Sequence, residues 1–211
     1  MTRSILIALC LTLCLATSGC ALLTGPRAIV PGPGTEWRAA ATGADRARLR
    51  DWRGAFVEAL GKARAAGHGA TITAEGALLD PDAALAGDPI PNGDYRCRVI
   101  KLGAKQPGLL EHVAYPAFDC RIRGEGGLQG FAKLSGSQRP VGLIFPGDAM
   151  RQVFLGTLVL GDERRAMQYG RDPDRDVAAF VERIGPARWR MVMPRPAFES
   201  TIDVIELIPA R

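Results

Sequence analysis

The sequence predicts a mainly β protein, an antiparallel meander closing into a small barrel or strongly curved sheet, preceded by one amphipathic α-helix. Three observations carry this. Beyond residue 92, short segments with period-two alternation follow one another, separated by glycine, proline and acidic turns. No stretch among them has the length and helical spacing that a crossover between parallel strands needs. A long open meander would also leave its edges bare, and closure removes them.

The meander begins with a matched pair of segments. Tyr95, Cys97 and Val99 fall on one face and Arg96 and Arg98 on the other, while Phe118, Cys120 and Ile122 face away from Asp119, Arg121 and Arg123. Both thiols therefore lie on apolar faces. The pair is bounded by Asn92-Gly93-Asp94 and Gly124-Glu125-Gly126-Gly127, so a disulfide between Cys97 and Cys120 is expected to join two antiparallel strands from inside the sheet. Further strands are read at 128–135, 141–145, 152–160, 167–169, 177–184, 188–193 and 201–208. Segment 177–184 also fits a helix through Val177, Phe180, Val181 and Ile184. The short Gly185-Pro186-Ala187 connection to the clearly alternating 188–193 favours a hairpin, hence a strand.

Residues 42–66 carry the helical pattern, with Leu49, Trp52, Phe56, Leu60 and Ala63 spaced by three or four and charges elsewhere. Thr42 with Asp45 forms the capping pattern, and Gly67 and Gly69 are expected to end the helix. Gly54 and Gly61 weaken it, so its apolar stripe is expected to dock on the barrel. Residues 70–91, rich in Asp-Pro steps, read as loop with room for one short turn of helix.

The beginning of the chain reads as a targeting segment. Arg3 precedes an apolar run over 5–16, and Ala16-Thr17-Ser18-Gly19-Cys20 supplies small residues before a cysteine. This resembles the lipobox of bacterial lipoproteins, with Cys20 as the lipidated residue, although Thr17 stands where leucine is usual. A plain secretory signal cut after Ser18 is the alternative. Of the five cysteines, Cys10 and Cys14 lie in the leader, so lipidation of Cys20 leaves the even pair Cys97 and Cys120. The expected organisation is a signal peptide over 1–19, a lipidated Pro/Gly-rich tether over 20–41, and one globular domain over 42–211 with its barrel at about 92–208. Ala21 is not the aspartate that resembles an inner-membrane retention signal, so the outer membrane is expected, facing the periplasm.

The formal charge of +5 comes largely from arginines scattered among acids, which excludes a nucleic-acid footprint and suits a solvated surface near an anionic membrane. His68 and His112 lack metal-ligand spacing and read as surface residues. Asp172-Pro173-Asp174-Arg175-Asp176 fails as a calcium loop, since Val177 and Arg183 occupy the glycine and glutamate positions, and reads as a solvated acidic turn. Ser135 and Ser137 read as a hairpin turn. Glu182, Glu199, Asp203 and Glu206 are acids without a defined pairing; Glu182 and Arg183 beside Arg188 and Arg190 read as cross-strand ion pairs on a wet face. Trp189, Met191 and Met193 share one face and, with Tyr169 and Phe180, are candidates to line a barrel interior for an apolar ligand, against simple core packing. No metal or cofactor is expected.

The stretches Gly93-Asp94-Tyr95-Arg96-Cys97-Arg98, Val181-Glu182-Arg183-Ile184-Gly185, Arg188-Trp189-Arg190 and Asp203-Val204-Ile205-Glu206-Leu207 resemble a bacterial family known as domain of unknown function 4893. That resemblance covers the chain from about residue 42 and implies no activity or site. The meander with its early disulfide is also similar, more loosely, to calycin-like barrels such as lipocalins and the periplasmic protease inhibitors of that shape. Those inhibitors use a free N-terminal arm, whereas a helix occupies that end here. Two readings stand: a non-enzymatic binding or structural lipoprotein, whose partner is an envelope protein or an apolar small molecule, and an envelope hydrolase or protease inhibitor whose site assembles only in three dimensions.

Overall fold

A computed structural model of the protein describes residues 36–210. The expected leader, Cys20 and most of the expected tether lie outside the described residues. Nine strands follow in order: β1 Gly93–Ala104, β2 His112–Ala114, β3 Phe118–Glu125, β4 Leu128–Lys133, β5 Gln138–Phe145, β6 Arg151–Leu160, β7 Asp176–Gly185, β8 Arg188–Pro194 and β9 Ser200–Pro209. From β3 to β9 each is antiparallel to the next, and β9 returns to pair with β1 from Tyr95↔Pro209 to Ala104↔Ser200. On its other side β1 pairs with β3 through Gly93 to Cys97 and with β2 through Ile100 to Leu102. Eight strands thus form a closed antiparallel barrel, and β2 is one extra short strand.

The alternation read from the sequence holds on the inward face. Tyr95, Cys97, Val99, Phe118, Cys120 and Ile122 share one buried interior cluster with Phe131, Phe154 and residues of β7 to β9. The Cys97–Cys120 disulfide joins β1 to β3 inside the barrel, diagonally across the register in which Cys97 faces Phe118 and Tyr95 faces Cys120. Two opposed glycines make room in this interior. A Cβ at Gly142 would lie 2.5 Å from the Gly156 Cα and 2.7 Å from the Phe154 ring. Without those Cβ atoms Phe154 lies over the strand pair, edge-on to Phe131 at 5.6 Å.

Residues 177–184 lie in a strand, as their short connection indicates, with Val177, Ala179 and Val181 inward. Residues 167–169 are not a strand: β6 pairs directly with β7 from Thr157↔Asp176, and the intervening loop folds back along the outside of the barrel.

The helical region is longer than its glycines imply. It comprises α1 Trp37–Ala40, α2 Gly43–Arg50, α3 Trp52–Ala63 and α4 Gly69–Glu75, with a π turn at Arg64–His68 and a 3₁₀ turn at Gly76–Leu78. Thr42 caps α2, its hydroxyl accepting from the Asp45 N–H at 3.1 Å. Gly67, at φ +91°, bends the helix rather than ending it. Burial explains the continuation, because Ile72, Leu78 and Leu79 join Phe56 and Leu60 in a second apolar cluster against Ile100, Val192, Ile202 and Val204 on the outside of the barrel. The fit is close at Gly103, where a Cβ would come within 3.0 Å of the Ala59 Cα. A third cluster packs Ala41 and Leu49 onto Phe145, Val153 and Leu155. Trp52, expected in the buried stripe, is only half-buried: it meets Phe180 edge-on at 6.0 Å beneath the Arg151 guanidinium. Among the described residues no helix is long and apolar enough to cross a membrane.

Candidate functional site

The two ends of the barrel differ. At the end where β1 begins, Ile90, Tyr95 and Trp189 belong to the packed interior. A ring of hydrogen bonds fixes this plug: the Ile90 N–H donates to Gln152 Oε1 at 2.9 Å, Gln152 donates to Gln129 at 3.1 Å, and Gln129 donates back to the Ile90 carbonyl at 2.7 Å. Tyr95 donates its hydroxyl to the Pro91 carbonyl at 2.6 Å, and burial pushes its pKa up to about 12.

The opposite end is open, ringed by the β2–β3, β4–β5, β6–β7 and β8–β9 connections around a cavity of about 290 Å³. Its apolar lining includes Val99, Phe118, Leu158, Val177, Met193 and Ile205. Continuing the inward alternation one step beyond Val99 and Ile205 reaches Lys101 and Asp203, which face each other across β1 and β9. The lining therefore changes from apolar to charged at the mouth.

Lys101 is nearly buried, with Nζ 3.2 Å from Asp203, 3.0 Å from Glu199 and 3.1 Å from Gln138 Oε1 on the far strand β5. Burial draws its pKa down, but the two carboxylates outweigh that and leave it raised. Asp203 is shifted upward because burial outweighs Lys101 and the Ser200 hydroxyl that donates to it. Glu199 reaches Lys101 from a left-handed backbone conformation, φ +62°, unusual for a residue with a side chain. Lys133, half-buried on β4, is different. Its Nζ lies 4.2 Å from the centre of the Phe118 ring, and among the described residues it has no carboxylate partner. Burial, with repulsion from Lys101, lowers its pKa.

The residues proposed to line an apolar site separate into two groups. Trp189, Met191 and Met193 all point inward, Met193 into the cavity wall, Met191 into the fully packed middle and Trp189 to the plugged end. Phe180 and Tyr169 lie outside the barrel, which corrects their inclusion. Strand alternation turns Phe180 outward beneath Trp52. Tyr169 is buried against α2, donating to Asp45 and accepting from the Thr42 N–H at 3.0 Å; burial and Asp45 hold its pKa well above the usual tyrosine range.

Two other expectations change. Glu182 and Arg190 do pair across β7 and β8, at 2.7 Å, but fully buried rather than on a wet face, because the 77–81 segment covers them. His68 and His112 are brought together, their rings stacked at 5.3 Å and half-buried, away from the cavity. Among the described residues no three His, Cys, Asp or Glu side chains gather into a metal-binding group. Ser135 and Ser137 lie in the β4–β5 turn at the cavity rim. In the acidic turn, Asp172 and Asp174 stay at the surface, while Asp176 is buried at the cavity wall and accepts the Gly170 N–H at 2.9 Å.

Chemically, the mouth offers an apolar slot beneath a polar rim. Both Asp203 oxygens are engaged, by Ser200 and Lys101, and Glu199 is held by Lys101, so these acids act as a clamp across the barrel. Among the described cavity residues, Lys101 and Arg48 are each paired with a carboxylate and Lys133 is not, which leaves Lys133 available to an incoming group.

No curated protein and no solved structure is significantly similar to the chain. One family, described as a domain of unknown function (DUF4893), matches residues 37–207, which takes in the helices, β1 to β8 and β9 as far as Leu207. The chain belongs to that family.

Proposed function

We propose that the protein is an exported lipoprotein, anchored through an acylated Cys20 at the periplasmic face of the outer membrane, that binds a small apolar molecule in the mouth of its barrel. The observation that carries the binding reading is the mouth cavity, apolar within, polar at the rim and backed by a plugged end. Its volume of about 290 Å³ lies at the lower edge of the range usual for small-molecule sites. The engaged state of Glu199 and Asp203 supports binding over hydrolysis. The anchor rests on Cys20 in its small-residue context and on the even cysteine pair that its lipidation leaves; two or more acyl chains give stable attachment.

The test is a titration of the purified protein with the neutral apolar dye N-phenyl-1-naphthylamine, beside a Leu158→Trp variant that fills the cavity. Wild type is expected to enhance the dye's fluorescence saturably, and the variant to lose that response while melting at a similar temperature. Absence of binding, or equal binding by the filled variant, overturns the reading. Fatty-acid labelling of wild type, lost in Cys20→Ala, tests the anchor separately.

A further inference from the structure

We propose that the cavity takes a single-chain amphiphile with an anionic head group, whose head is received by Lys133 and whose chain lies along Val99, Leu158, Val177 and Ile205. This deepens the binding reading and rests on it. The argument begins with the difference between two lysines that share one mouth. Lys101 meets two carboxylates and a side-chain carbonyl within 3.2 Å. Lys133 meets the Phe118 ring, no acid among the described residues forms an ion pair with it, and Asp203, the acid whose field reaches it, is already engaged by Lys101 and Ser200. A cation over an aromatic face recovers only part of what an ammonium loses on leaving water. An anion at the rim completes the pair, whereas a neutral ligand would dehydrate the ammonium further and give nothing in return.

Direction follows from the remaining walls. Asp174 and Asp176 line the β6–β7 side, and Asp176 is fixed there by the Gly170 N–H. Arg48 on the same side is already paired with Asp45 and bonded to the Asp176 carbonyl. A negative head is therefore disfavoured on that wall and favoured on β4, beside Lys133 and the small turn of Ser135, Gly136 and Ser137. Length follows from volume. At roughly 30 Å³ per water-sized group the cavity holds about ten such groups, which suits one medium-length chain better than two. Fatty acids and lysophospholipid-like phosphates both carry this chemistry.

The experiment uses the protein expressed from the whole chain and compares decanoate, decyl phosphate and decanol by calorimetric titration or dye displacement. One charge-assisted contact implies a preference of about tenfold or more for the anionic ligands over decanol. Lys133→Gln is expected to erase that preference while binding decanol at least as tightly as wild type does, and Lys133→Arg to keep the preference. The tighter of decanoate and decyl phosphate identifies the carboxylate or phosphate source. Equal binding of decanol and the anions by wild type, or a preference surviving in Lys133→Gln, overturns this inference and leaves the cavity reading intact. Failure of all three ligands and of the neutral dye overturns the cavity reading itself.

Discussion

Arg190 is the side chain whose removal the fold should feel most. It is fully buried, pairs with Glu182 at 2.7 Å, and donates to the carbonyls of Ala77 and Leu78 at 3.0 Å and of Asp80 at 2.6 Å. One guanidinium thus ties β8 to β7 and closes the end of the helical region over the barrel. Arg190→Met keeps much of the volume but leaves Glu182 with Arg151 alone and the Ala77 and Leu78 carbonyls without this donor, while Asp80 keeps the Ala83 N–H. Breaking a buried pair in this way costs about 3–5 kcal/mol, a third or more of the stability of many domains. The double variant Arg190→Met/Glu182→Leu removes the half-paired acid at the expense of its ion pair with Arg151, and should recover only about 1 kcal/mol, since Arg151 is partly exposed and keeps the Trp52 ring while the Ala77 and Leu78 carbonyls stay unpaired. Urea unfolding followed by tryptophan fluorescence measures both. A single variant that loses less than about 1 kcal/mol, or a double variant no more stable than the single, would refute this account of the clamp.

Two further outcomes are expected. Replacing Cys97 and Cys120 together by alanine should cost about 3 kcal/mol, the chain-entropy value for a loop closed over a separation of 23 residues; peptide mapping without reductant should recover the linked pair from wild type, and free thiols at both positions would contradict the structure. Tyr95 titrates near 12 when folded and near 10 when unfolded, so the stability it contributes is complete below pH 10 and is lost as pH rises toward 12. Unfolding midpoints at pH 9 and 11.5 should therefore fall further in wild type than in Tyr95→Phe, and parallel losses would remove Tyr95 as the cause.

Alternation was most legible where one face of a strand meets water, as in β1 and β3, whose arginines and apolar residues separate cleanly. It was least legible where helices cover the outer face, because both sides of β7 and β8 are then buried. Period-two alternation alone therefore cannot tell which side of β7 carries Phe180, or that the Glu182–Arg190 pair is covered. Gly67 did mark a change of direction, but composition alone could not show that Ile72 and Leu78 had an apolar bed waiting beyond it. The charged mouth had a signal, since Lys101 and Asp203 continue the parity of Cys97 and Leu207. The cavity, and the absence of a carboxylate partner for Lys133 among the described residues, had none, because they depend on four connections meeting at one end of the barrel.

The pairing of β1 with β9 also fixes an order of events in folding. Cys97 and Cys120 are separated by 23 residues and can meet as soon as β1 and β3 exist. The closing seam instead joins segments about a hundred positions apart, Ile100 with Val204 and Leu102 with Ile202, and these four residues are also the bed on which Phe56 and Leu60 lie. Contacts of such high sequence separation form late, because the intervening chain must be ordered before they repay its entropy. A chain synthesised from its N-terminus therefore holds its helices without a complete docking surface until β9 arrives, and oxidation of the cysteines can precede closure. Removing β9 would leave no smaller barrel: β1 and β8 would each carry a bare edge, a sheet open to pairing with other chains.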